Sequence, residues 1–152
     1  MRITLLAVGR MKAGPAHDLY DLYAGRLRWP IKMTEVEERR PLPPEALKEQ
    51  EGALLLAAIP RGARTVALDE DGKQLTSRAF AERLGRWQDD GIPDVAFLIG
   101  GADGLSEPVR QAADAILSLG RLTWPHMLVR GLLAEQLFRA ESILAGHPYH
   151  RD

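Results

Sequence analysis

Residues 146–152 read "GHPYHRD": a glycine followed by two of the chain's four histidines, a tyrosine, an arginine and an aspartate. His150 brings a ring that titrates near neutrality. Tyr149 can stack on a nucleobase or donate a hydrogen bond, and Arg151 can pair with phosphate or with an anionic base edge. A segment so rich in hydrogen-bonding groups is expected to be held against a site and not to fray. His147 and His150 stand in H-x-x-H spacing, but Pro148 disfavours a helix there and no third ligand accompanies them. No metal is expected.

Three other stretches have the chemistry of a ligand site. "FLIGGADGLSE" (97–107) places Gly100 and Gly101 directly after an apolar run. Paired glycines there either let the backbone approach a ligand closely or simply make a tight turn. Neither nucleotide-binding glycine fingerprint is present. "SLGRLTWPH" (118–126) combines Gly120, the flat wall of Trp124, and Pro125 before His126. Exposed amides beside an indole suit a purine ring, although a lone tryptophan is more often core. "VALDEDG" (66–72) ends a run at Leu68 and Asp69, and on its own reads as an acidic turn. His126 reads as a capping or packing residue in preference to a base, and His17 as surface. Serine-nucleophile and zinc-protease motifs are missing.

The elements that must position these residues alternate regularly. Apolar runs predict strands at 2–8, 32–38 (an edge), 63–69, 94–99 and 116–120. Helical spacing predicts helices at 15–28, 44–59, 76–90 with Thr76 or Ser77 as cap, 106–115 and 126–146, the last ended by Gly146. "DEDGKQ" (69–74) is expected to be a turn. Strands separated by helices imply one α/β domain over 1–152, with a mainly parallel sheet and helices on both faces. Ligands in such sheets sit at the carboxyl ends of strands, where the three stretches fall. The helix at 126–146 is apolar around more than half its circumference, which suggests a dimer if one sheet face cannot cover it.

The totals narrow the options. A chain of 152 residues with 45% hydrophobic and 27% charged residues is an ordinary globular composition. There is no cysteine, so thiolate chemistry is excluded. No run spans a membrane, and "MRITLLAVGRMKAG" reads as a first strand and not as a secretory signal; a cytoplasmic location is expected. Net charge is −1, which argues against binding a polyanion through bulk charge. Arg2, Arg10, Lys12, Arg26, Arg28 and Lys32 nevertheless make residues 1–33 locally basic.

"LLAVGRMK", "VALDEDGK", "FLIGGADGLS", "LTWPHMLVRGLLAEQLFRA" and "HPYHRD" resemble, in order and spacing, the RlmH (YbeA-type) family of SPOUT-class methyltransferases. The resemblance covers the whole chain and is most specific in the last 55 residues. It implies an α/β domain with a C-terminal trefoil knot, a homodimer, and S-adenosyl-L-methionine as donor. It also implies methylation at N3 of a pseudouridine in 23S rRNA, within the ribosome or its large subunit. Carried over, the donor-binding positions are Leu68, Gly100, Leu119, Gly120, Arg121, Leu122, Thr123 and Trp124. Gly101 joins them on the glycine argument. Tyr149, His150 and Arg151 are the candidate catalytic residues. A relative acting on another RNA and a non-catalytic ribosome-assembly module are the alternatives.

Overall fold

The computed structural model describes residues 1–152. Its elements run β1 (Arg2–Val8), α1 (Pro15–Ala24), β2 (Ile31–Val36), α2 (Pro44–Ala57), β3 (Arg64–Gln74), α3 (Ser77–Asp89), β4 (Asp94–Ile99), α4 (Glu107–Ala112), β5 (Ala115–Ser118) and α5 (His126–Leu144). All four strand pairings are parallel, in the order β2-β1-β4-β3-β5. The α/β expectation holds, with β2 at one edge. The central strands are apolar without alternation because both of their faces are covered; every residue of "DVAFLI" in β4 is buried.

Successive side chains point to opposite faces and so feed two cores. Ile3, Leu5 and Ala7 of β1, with Val95, Phe97 and Ile99 of β4, meet residues of α1, α3 and α5 in the larger core. Leu6, Val8, Ala96 and Leu98 meet Leu55 of α2 and Val109 of α4 in the smaller one. After β5 the chain leaves the sheet edge, and α5 returns between α1 and α3. A C-terminal knot would use this return path. Leu133, Ala134, Leu137 and Ala140 of α5 are fully buried within the one chain. The apolarity of this helix is therefore largely satisfied internally and is no argument for a second copy. The large apolar side chains left exposed are Leu22, Leu54, Leu122, Trp124 and Leu144.

Several ends move by one or two residues, and three differences from the sequence reading matter more. The first helix stops at Ala24 instead of running to residue 28, with Gly25 as its C-cap; the amides of Arg28 and Trp29 then donate to the Glu141 carboxylate on α5. The predicted helix at 106–115 gives up its last residue to β5, which begins at Ala115. "DEDGKQ" is not a free turn. β3 continues through it as a bulged strand, Leu68 and Lys73 both pairing with Leu117. Gly72 allows this, because a Cβ there would lie 2.8 Å from the Leu117 backbone. Among the end signals, the Thr76 hydroxyl caps α3 by accepting from the Ala79 amide at 3.1 Å, whereas Ser106, which the sequence offers as the cap of α4, makes no side-chain cap. Gly146, at φ 70°, closes α5, with the His147 amide donating back to Ser142 O at 2.8 Å.

Candidate functional site

A cleft of about 430 Å³ opens at the carboxyl ends of β3, β4 and β5. Leu68, Gly100, Gly101, Leu119, Gly120, Leu122, Thr123 and Trp124 all line it, so the three stretches converge as anticipated. Arg121 does not line it and is exposed. Each stretch is shaped by its own backbone requirements. Gly100 needs to be glycine because a Cβ would sit 2.7 Å from the Gly104 backbone, which folds back to donate its amide to Gly101 O. The tight-turn reading of this glycine is therefore correct, and the turn forms one wall. Gly120 adopts φ 115°, and its amide donates to the Ser118 hydroxyl at 3.1 Å. Leu122 is 73% and Trp124 41% exposed, so the indole is a wall and not a core residue.

The cleft is acidic. Asp69, Glu70 and Asp71 reach it from the β3 bulge and Asp103 from the turn after β4, against Lys48 and Arg110. Asp69 is ion-paired with Arg110 and also accepts from the Asp71 amide at 2.9 Å, so the bulge is self-bracing. Thr123 donates to Glu70 at 3.3 Å, tying the 119–124 segment to β3. Beneath Gly101, burial and then the Asp103 carboxylate push the Glu51 carboxyl above its ordinary value.

Sequence reasoning passed over His126 as a lining residue. It opens α5, whose N-cap is Pro125 and makes no side-chain cap, so His126 does not serve as a cap. Arg130, one turn further along, was read only as part of an apolar helix. It is 0% exposed and bonds the carbonyls of Val8 and Gly9 at 2.8 Å each and Glu35 at 2.7 Å. Glu35 also accepts from the Met11 amide. The end of β1, the start of β2's partner loop and α5 are thus clamped where the cleft begins. Only the buried cation's hydrogen-bonding capacity could have signalled this, and a single sequence does not display it.

A second, larger cleft of about 600 Å³ adjoins the 119–124 segment, and Leu119, Gly120 and Trp124 line both. It also takes in Tyr23, Glu135 and Gln136. The final residues lie near this side and line neither cleft. Tyr149 donates to Glu135 at 3.0 Å, packs edge-on against Phe138 at 4.7 Å, and lies under the Arg139 guanidinium at 4.9 Å. Burial, with the Tyr23 and Glu135 contacts, pushes its phenol well above the ordinary value. His150 Nδ1 accepts from Arg139, and its Nε2 pairs with Asp152, which Arg78 holds in turn. Asp152 is thereby held below the usual carboxylate range. Arg151 is exposed. The tail is ordered, as its composition suggested, but within one chain it does not cover the first cleft. No cluster of three or more metal-ligating side chains occurs, and no helix is long and apolar enough to cross a membrane.

Residues 1–150 match the family model described as "predicted SPOUT methyltransferase". The chain belongs to the SPOUT methyltransferase family. Among its relatives, proteins named "Ribosomal RNA large subunit methyltransferase H" from Rhodospirillum centenum and Paramagnetospirillum magneticum are each 60% identical over 151 residues, covering 99% of both chains. The protein of that name from Rhodospirillum rubrum is 51% identical over the same span. A probable methylase family protein from Haemophilus influenzae Rd KW20 shares the fold at a TM-score of 0.56 and 11% identity, covering 99% of this chain and 70% of its own.

Proposed function

We propose that this protein transfers a methyl group from S-adenosyl-L-methionine to N3 of a pseudouridine in 23S rRNA, acting on the ribosome or its large subunit, in the cytoplasm, as a homodimer of single-domain chains. The observation that carries the reading is the convergence of residues 68, 100–101 and 119–124 on one cleft. It is supported by relatives at 60% identity whose names specify large-subunit rRNA. Leu68, Gly100, Gly101, Leu119, Gly120, Leu122, Thr123 and Trp124 would hold the donor, Trp124 against its adenine and the acidic bulge toward its cationic sulfonium and amino groups. Arg121 would contribute through its backbone only.

A sulfonium is already a good leaving group, so alignment of methyl and nucleophile is the main task. Holding two reactants in line supplies about 7–11 kcal/mol, against roughly 3–5 kcal/mol for a general base. This ordering explains a site in which the shaped backbone matters more than any one titratable group. Tyr149, His150 and Arg151 would complete the RNA side of the site. Since they do not line the cleft of their own chain, they would do so across the dimer, on the cleft of a second copy. Exposed Leu22, Leu122, Trp124 and Leu144 offer apolar surface for that contact.

The test is nucleoside analysis of large subunits treated with purified protein and labelled donor. Label in N3-methylpseudouridine is expected. Label in another nucleoside would redirect the reading to a different RNA position. Calorimetry without donor binding would replace it with an assembly role.

A further inference from the structure

His126 has features that a packing residue does not need. It is half-buried at the first turn of α5 and lines the carboxyl-end cleft. Its Nε2 lies 3.9 Å from where a Cβ on Gly9 would be, so the glycine leaves room beside the ring. The ring makes no hydrogen bond within the chain. The one buried side-chain nitrogen or oxygen lacking a partner is Arg130 Nε, so both imidazole nitrogens of His126 keep accessible surface. Within one chain the other imidazoles lie elsewhere: His17 is paired with Asp21 and His147 is exposed, while His150, which a second copy would bring to this cleft, arrives already held by Arg139 and Asp152. Among the carboxylates at the cleft, Asp69 is committed to Arg110 and Glu70 accepts from Thr123.

We propose that His126 is the general base of the methyl transfer, taking the imide proton from the acceptor ring as that nitrogen attacks the donor methyl. This inference rests on the function proposed above. The N3–H bond breaks, with its proton passing to the imidazole and its electron pair forming the new N–C bond. The C–S bond breaks and its pair stays on sulfur, so the cationic sulfonium becomes a neutral thioether. The imidazolium then releases its proton to solvent.

The surroundings keep the imidazole neutral. Burial first, and the Arg130 cation second, hold its proton affinity below the ordinary 6.5. The charged groups facing this region are Arg130 on α5, Glu35 on β2 bonded to it, Asp69, Glu70 and Asp71 on β3, Asp103 after β4, Lys48 on α2 and Arg110 on α4. Burial and Arg130 outweigh the acidic groups. The ring is thus ready to accept a proton at neutral pH and remains so into mildly acidic solution.

The experiment is single-turnover methylation of unmodified large subunits by the full chain with saturating donor, from about pH 5.5 to about pH 8.5. The wild-type rate is expected to rise along an acid limb centred below 6.5 and then level off. His126→Asn and His126→Gln should lose that limb and fall roughly 10²–10⁴-fold, with donor affinity by calorimetry unchanged within a few-fold. Added imidazole should restore part of the rate to His126→Ala. A wild-type rate climbing tenfold per pH unit through neutrality would overturn the proposal, since the imide would then ionise to solvent before attack. So would variants that keep the wild-type rate, or that lose donor affinity and rate in equal proportion with the limb intact. If the variants misfold, NMR titration of the His126 ring in the wild-type protein decides the matter: its midpoint should coincide with the acid limb of the rate, and a mismatch overturns the proposal. If wild-type protein binds donor but methylates no RNA, the proposed function itself fails and this inference with it.

Discussion

Asp94 begins β4 almost wholly buried, and its two oxygens receive the Arg2 side chain at 2.9 and 2.8 Å. Arg2 holds the Asp94 carboxyl below its ordinary value of 3.8. The folded state therefore prefers the ionised form, so the contribution to stability is present above 3.8 and is lost as pH falls through the lowered folded value. Asp94→Asn should lower the melting temperature at neutral pH, and the gap to wild type should close below about pH 4. Scanning calorimetry across that range reads both. Residues differ in how far their roles can be read from type. Gly120 and Trp124 were legible because a left-handed backbone and a flat wall are local properties. Arg130 and Glu35 were not, since a cation 0% exposed inside an apolar helix looks in sequence like any exposed arginine.

At the scale of elements, the bulge in β3 and the clamp at α5 are the two features on which the cleft depends. Replacing Gly72 with alanine would force a Cβ to within 2.8 Å of β5 backbone, which has no flexible end to move aside. The expected cost is about 1–3 kcal/mol, together with weaker donor binding, because Leu117 leads directly into the 119–124 wall; denaturant titration and calorimetry check the two effects. Arg130→Met would leave two carbonyls and Glu35 without their donor, a loss of about 3 kcal/mol or more in urea unfolding. The elements themselves were easy to find where burial on both faces makes a strand uniformly apolar, as in β4. They were hard where pairing overrides pattern. "DEDGKQ" has the composition of a turn, and only β5 alongside makes it a strand.

At the scale of the whole molecule, the decisive relation is between the tail and the two clefts. Removing residues 147–152 is expected to abolish methylation while leaving donor affinity largely intact, since none of them lines the carboxyl-end cleft. Tail-deleted chains mixed with Gly100→Val chains, each inactive alone, should regain activity if the tail serves a second copy. Failure of the mixture under conditions of subunit exchange would assign the tail to its own chain. Sedimentation at micromolar concentration is expected to show a dimer. Sequence chemistry announced that the tail would be held down, but its partners, Glu135, Phe138 and Arg139, are contacts made in three dimensions and have no local signature.

The position of α5 between α1 and α3 has one more consequence. Leu133, Leu137 and Ala140 fill the same core as Ile3, Leu5 and Phe97, so residues early in this chain wait for partners synthesised much later. A chain truncated after residue 125 should stay protease-sensitive although it carries all five strands. The larger core therefore closes only once α5 has been made, unlike that of chains whose early segments close a core of their own.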